Sequence, residues 1–191
     1  GGIVEFVADQ PDIQPSPAAK KDLRKAKQAK VQTGDIEKEW GEKATAAYRP
    51  WTGEVMLDRE SLKAMSREER AVVVRHELAH KIETEDELWK DTDTYLWELW
   101  ETNRHHPIFD YMADVTGYMK FNNNQSPEII AHLYSDEYAD GYFKYFDPNR
   151  QQHYTAPIPK ELMDVLDRIE DKLGIWTKKR ARGTSGQPDI Q

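Results

Sequence analysis

SREERAVVVRHELAHKIET, residues 66–84, decides how the rest of the chain is read. Ser66 with Glu69 three residues on is a capping box, in which each side chain satisfies the other's free backbone N–H. The apolar run Ala71 to Val74 follows, so a helix of about 17 residues is expected, ending near Thr84. On it, His76 and His80 stand one above the other on a single face. Glu77 is rotated about 100° from His76 and reaches past the pair without being part of it. Two nitrogens that hold zinc, with a carboxylate that takes a proton from zinc-bound water, are the division of labour of H-E-x-x-H. Val72 to Val74 precede the motif and predict that its face is buried. Two buried histidines beside a glutamate would be costly without a metal. One zinc ion per chain is therefore the expected cofactor.

Composition narrows the setting. The chain has 191 residues, a formal net charge of −8 and no cysteine. A phosphate-tracking protein needs a basic face, which argues against nucleic acid as the partner. The lack of cysteine removes disulfides and thiolate zinc sites. No apolar run is long enough for a membrane span. GGIVEFVADQ at the start lacks the basic region of a signal peptide, so a cytoplasmic or virion-associated location is expected over secretion.

Residues 1–43 read as an extended, charged N-terminal arm. It is Pro-rich at QPDIQPSPAAKK and basic at KKDLRKAKQAK. Residues 44–176 form the expected domain, and 177–191 a flexible tail. QPDIQ occurs at 10–14 and again at 187–191, as linker low complexity or as a processing or docking sequence at both ends of a module. Within the domain, residues 44–58 predict a β-hairpin around RPWTG. Helices are expected around Leu88–Trp100, from Pro107, from Ser126-Pro127, over Asp136–Phe146 and over Pro159–Leu173, the last stopped by Gly174. The fold class is thus α+β: mainly helical, with a small sheet ahead of the HExxH helix.

A catalytic zinc needs a third protein ligand and one open position. Two downstream stretches put a carboxylate four residues before another, with alanine between. These are Asp110 to Asp114 and Asp136 to Asp140. The second is expected to open a helix, so Asp136 is the expected ligand. Asp140 is then the carboxylate that orients an imidazole. Glu137 and Asp110 compete for the ligand position. His105 and His106 are a further source of ligand, or a polar helix start.

RHELAH after a hairpin, then HPIFDYM (106–112), SDEYADGYFKYF (135–146) and APIPKELMDVLDRIEDKL (156–173), resembles the anthrax-lethal-factor-like gluzincins. That group includes the Pro-Pro endopeptidases. The layout is also similar to metallopeptidase domains of bacteriophage and toxin polyproteins. The resemblance spans roughly residues 44–174 and implies a zincin-like fold and zinc-dependent endopeptidase activity on an extended polypeptide. It implies His76, His80 and an acidic residue at Asp136 as ligands, and Glu77 as general base. It further implies that Glu54, Val55, Met56 and Leu57 form the edge strand that receives the peptide. Tyr134 stands near where the family carries an oxyanion-stabilising tyrosine, and is otherwise a packing residue; His132 is a second candidate for that task. Aspartate as third ligand departs from the family's glutamate and needs a closer helix. The alternative function is a catalytically silent zincin-like module that serves as a structural or docking part of a phage particle, toxin or parent polyprotein.

Overall fold

The computed structural model describes residues 31–41, 43–49 and 54–176. Most of the expected arm, the RPWTG turn, the tail and both copies of QPDIQ lie outside them. In chain order the elements are β1 (Val31–Gly34), α1 (Ile36–Trp40), β2 (Ala46–Arg49), β3 (Glu54–Asp58), α2 (Arg59–Lys63) and α3 (Arg67–Glu85). There follow α4 (Trp89–Thr102), α5 (Pro107–Thr116), α6 (Gln125–His132), a π-helical turn (Leu133–Glu137), β4 (Tyr142–Asp147), β5 (Gln152–Pro157) and α7 (Lys160–Leu173). The class is α+β and mainly helical. No helix among the described residues is long and apolar enough to cross a membrane.

The expected hairpin exists: β2 pairs antiparallel with β3, Tyr48 opposite Val55. A third strand joins it. Residues 31–34, assigned to the arm from sequence, run parallel to β3 with Val31 opposite Val55, giving the order β1-β3-β2. β3 is therefore central, and the expectation that Glu54–Leu57 is an edge strand is corrected. Val55, Met56 and Leu57 are at most 1% exposed, because both faces of the strand are covered. Val55 and Leu57 join the main core, whereas Met56 faces the other way. There the strand passes close to Gly34, where an added Cβ would lie 3.0 Å from the Met56 sulfur. Asp58 closes the sheet: its carboxylate accepts from the Ile36 N–H at 3.3 Å and caps α2 through the Ser61 N–H at 3.0 Å.

α3 begins on the expected capping box, with Ser66 Oγ accepting from the Glu69 N–H at 3.2 Å and Glu69 Oε1 from the Ser66 N–H at 3.4 Å. It runs for 19 residues and buries Ala71, Val74, Leu78 and Ala79 against the core. α5 begins with Pro107 in its first turn. His106 Nδ1 accepts from the Ile108 N–H at 3.0 Å, so this histidine caps the helix, and the neighbouring His105 is exposed.

The expected helix over Asp136–Phe146 does not form. The chain leaves the π-helical turn through Gly141, at φ 76°, and enters β4, which pairs with β5 from Tyr142↔Pro157 to Asp147↔Gln152. Aromatic residues favour a pleated surface, and Phe143 is buried while Lys144 is exposed. Asp147 then makes the turn by accepting from the Asn149 and Arg150 N–H groups. α7 buries Leu162, Val165, Leu166, Ile169 and Leu173 on one face and stops at Gly174, φ 59°.

Candidate metal centre

α3 delivers what its spacing predicts. The Nε2 atoms of His76 and His80 lie 3.0 Å apart, with the rings edge-on to each other. The carboxylate that meets them is Glu128, from α6. Its Oε1 is 3.0 Å from His80 Nε2 and its Oε2 is 3.4 Å from His76 Nε2. His132, one turn further along α6, places Nε2 3.8 Å from Glu128 Oε2. Behind the site, Glu83 is fully buried and its Oε2 lies 3.3 Å from His80 Nδ1.

Packing between α3 and α6 fixes this arrangement. Ala79 and Ala131 are fully buried, and such small side chains permit close approach of the two helices. Leu78, Ile129, Ile130 and Leu133 fill the space around them. The π-helical turn that ends α6 departs from α-helical hydrogen bonding, and two of its carbonyls accept from side chains instead. Arg75, next to His76, donates through Nε to Ser135 O at 2.9 Å. Trp176 donates through Nε1 to Tyr134 O at 2.9 Å, and its ring lies 4.2 Å below the Arg75 guanidinium. The end of α6 is thereby tied to α3 at the residue before the first site histidine.

The other expected site residues are placed elsewhere. Asp136 and Asp140 are exposed, and no hydrogen bond or ion pair joins either to an imidazole among the described residues. Asp136 leaves from the wider π-helical turn, so the α-helical spacing used to aim it does not apply. Glu137 is half-buried and near β4; burial, then Asp136 and Asp140, push its carboxyl up to about 7. Asp110 is raised by burial and by its neighbours Asp147 and Asp114, away from the histidine pair. Tyr134 is fully buried and its hydroxyl donates to Glu170 Oε1 at 2.7 Å. Glu170 also accepts from the Ile175 and Trp176 N–H groups at 3.1 and 2.8 Å. Tyr134 therefore locks the end of α7 and does not face the histidines. The role expected of Asp140 is matched in position by Glu83.

Charge in the cluster is strongly coupled. Burial lowers the basicity of His80, but hydrogen bonds to Glu128 and Glu83 overcome it and push its pKa up to about 10. Burial works against ionising Glu128, yet its bonds to His76 and His80 hold it well below the usual carboxylate range. Burial and the neighbouring His76 bring His132 down to about 4. Burial raises Glu83 to about 7, with His80 pulling the other way. Glu77 is also raised by burial, against the pull of His80 and His76. It lines a cavity of about 270 Å³ together with Thr45, Ala46, Val72, Val73, His76 and His132.

The donor set suits zinc. At metal–ligand distances of about 2.0–2.1 Å, the edges of a tetrahedron are about 3.3–3.4 Å. His80 Nε2 lies 3.0 Å from both His76 Nε2 and Glu128 Oε1, and His76 Nε2 lies 3.4 Å from Oε2, the other oxygen of the same carboxylate. Two imidazoles and a carboxylate, with a position left open, are a catalytic zinc donor set. Glu83 at the rear nitrogen of His80 fixes its tautomer so that Nε2 is presented forward. Sequence reasoning missed Glu128 and Glu83, although a signal for each was present. Glu128 and His132 repeat on α6 the four-residue spacing of His76 and His80, and Glu83 follows His80 by three on the same helix.

Comparison of the chain with known protein families, with curated proteins and with solved structures finds no match to any of them.

Proposed function

We propose that the chain is a zinc-dependent endopeptidase that holds its ion with His76, His80 and Glu128 and uses Glu77 as general base. The observation that carries this reading is the meeting of two Nε2 atoms 3.0 Å apart with the Glu128 carboxylate, one oxygen 3.0 Å from His80 and the other 3.4 Å from His76, beside a cavity that Glu77 lines. A zinc ion bound there supplies a Lewis acid that lowers the pKa of water and polarises a carbonyl.

The protein's own groups account for the rest. Burial raises the pKa of Glu77, so it can take a proton from the attacking water and pass it to the leaving amine. Substrate alignment belongs to β2, the strand next to the cavity. Among the described residues β2 pairs only with β3, which leaves its outer edge to accept an extended peptide. Thr45 and Ala46 bring that edge into the cavity wall, where His76 and Glu77 also stand. Glu77→Gln is expected to lower turnover by about 10²–10⁴-fold while zinc stays bound at one per chain. Wild-type cleavage by that variant would refute the reading.

One observation favours the alternative of a silent zincin-like docking module. Tyr134 is held in the core by Glu170, so the tyrosine expected as oxyanion donor is not at the site, and of the two candidates only His132 lines the cavity. Stoichiometric zinc with no zinc-dependent cleavage across a mixed peptide library would decide for that alternative.

A further inference from the structure

His132 belongs to the same side-chain cluster as His76 and Glu128. One ligand atom from each of His76, Glu128 and His132 lies within 4.8 Å of the others. The His132 ring is edge-on to His76 at 4.6 Å. Glu128 and His132 are four apart on α6 and share a face, so α6 opposes the His76–His80 pair with a donor pair of its own.

We propose that His132 is a fourth, displaceable ligand of the same ion, so that the resting protein closes the site with His76, His80, Glu128 and His132, and a bound polypeptide opens it by displacing His132. The inference rests on the zinc reading above. Four protein ligands make a closed site, whereas catalysis needs one position free. His132 is the ligand built to leave. Its Nε2 is 3.8 Å from Glu128, whereas His80 Nε2 is at 3.0 Å. Its side chain is 28% exposed, against 14% for His80. Glu83 backs His80 from behind, and among the described residues no hydrogen bond holds the His132 ring. His132 also lines the cavity with Glu77, so its departure frees a position on the side where the peptide carbonyl arrives. The exchange replaces one neutral donor by another and moves no proton.

The test uses the full chain loaded with spin-active cadmium, with isotopically labelled histidine nitrogens, because each Cd–N bond splits its nitrogen resonance. Three split imidazole nitrogens are expected in the wild type and two in His132→Ala. Saturation with a peptide hydroxamate is expected to remove the splitting that His132→Ala removes and leave the other two. Two split nitrogens in the wild type would overturn the fourth ligand, with no need for the variant to fold. Three that persist once the hydroxamate has bound would overturn the displacement. No split imidazole at all would be a different failure, that of the underlying metal site.

Discussion

Replacing Glu83 by glutamine should weaken zinc binding 10- to 100-fold without touching a zinc ligand. Glu83 Oε2 lies 3.3 Å from His80 Nδ1 in a fully buried position. At an effective dielectric constant of about 20, two unit charges at that distance interact by about 5 kcal/mol. A ligated imidazole carries only part of a unit charge, so the attraction to an ionised Glu83 is about 2 kcal/mol, and the measurement belongs at about pH 8 or above because burial raises Glu83 to about 7. That corresponds to roughly 30-fold in affinity, within the range found for carboxylates behind ligating histidines. Glutamine keeps the shape and can still accept from Nδ1, so the loss isolates the charge. The assay is competition for zinc against a chromophoric chelator, with circular dichroism to verify the fold. Asp136→Asn serves as control and should leave the affinity within about twofold, since Asp136 is exposed and joins no imidazole. A folded Glu83→Gln protein that binds zinc as the wild type does would refute the argument that this carboxylate tunes His80.

Other outcomes follow from the same geometry. Glu128→Gln should abolish stoichiometric zinc binding by elemental analysis, and retention of one zinc per chain would return the third-ligand question to the acidic residues further on. Glu128 and Glu83 push His80 up to about 10, so in the metal-free protein its imidazole is protonated on both nitrogens at neutral pH and zinc must displace the Nε2 proton. Zinc affinity should therefore rise with pH, by up to about tenfold per unit between pH 7 and pH 9. Calorimetry in buffers of different ionisation enthalpy should detect the released proton, and buffer-independent heats would contradict it. Tyr134→Phe should cost about 1.5–3 kcal/mol in urea unfolding through the lost bond to Glu170, and change kcat/KM little. A large kcat loss without destabilisation would restore Tyr134 to the reaction. Asp58 is held below its ordinary pKa by the Ser61 hydroxyl and N–H. Its contribution is present above the unfolded pKa, about 4, and fades as pH falls through the lower folded value, so Asp58→Asn should flatten the acid limb of the stability curve.

The sequence was most legible where local rules act alone. Ser66 and Glu69 announced the start of α3, and helical spacing placed His76 and His80 on one face. Pro107 and Gly174 marked a helix start and a helix stop in the same way. It was least legible where the outcome depended on a distant partner. The alternation of Val55 and Leu57 marks a strand but not its place in a sheet, and β1, more than twenty residues earlier, makes β3 central. Tyr142–Phe146 was read as a helix face because its pairing strand, QHYTAP, carries no strong β signal of its own. For the third ligand, the acidic pair Asp136 and Asp140 looked better placed because it was expected to open a helix. The pair Glu128 and His132 had the right spacing, but its helix was read only for its start at Ser126-Pro127. Glu83 was visible as one more acidic residue near a helix end; its meaning came only with burial.

β1 seals the side of β3 that would otherwise offer bare N–H and C=O groups beside Val55, Met56 and Leu57. A trimmed version starting at residue 44, where the hairpin begins, would uncover that ladder. Its monomers should then associate side by side through the vacated slot. Whoever shortens this protein for biophysics should keep Val31–Gly34, a four-residue strip that covers this ladder from far outside the histidine motif.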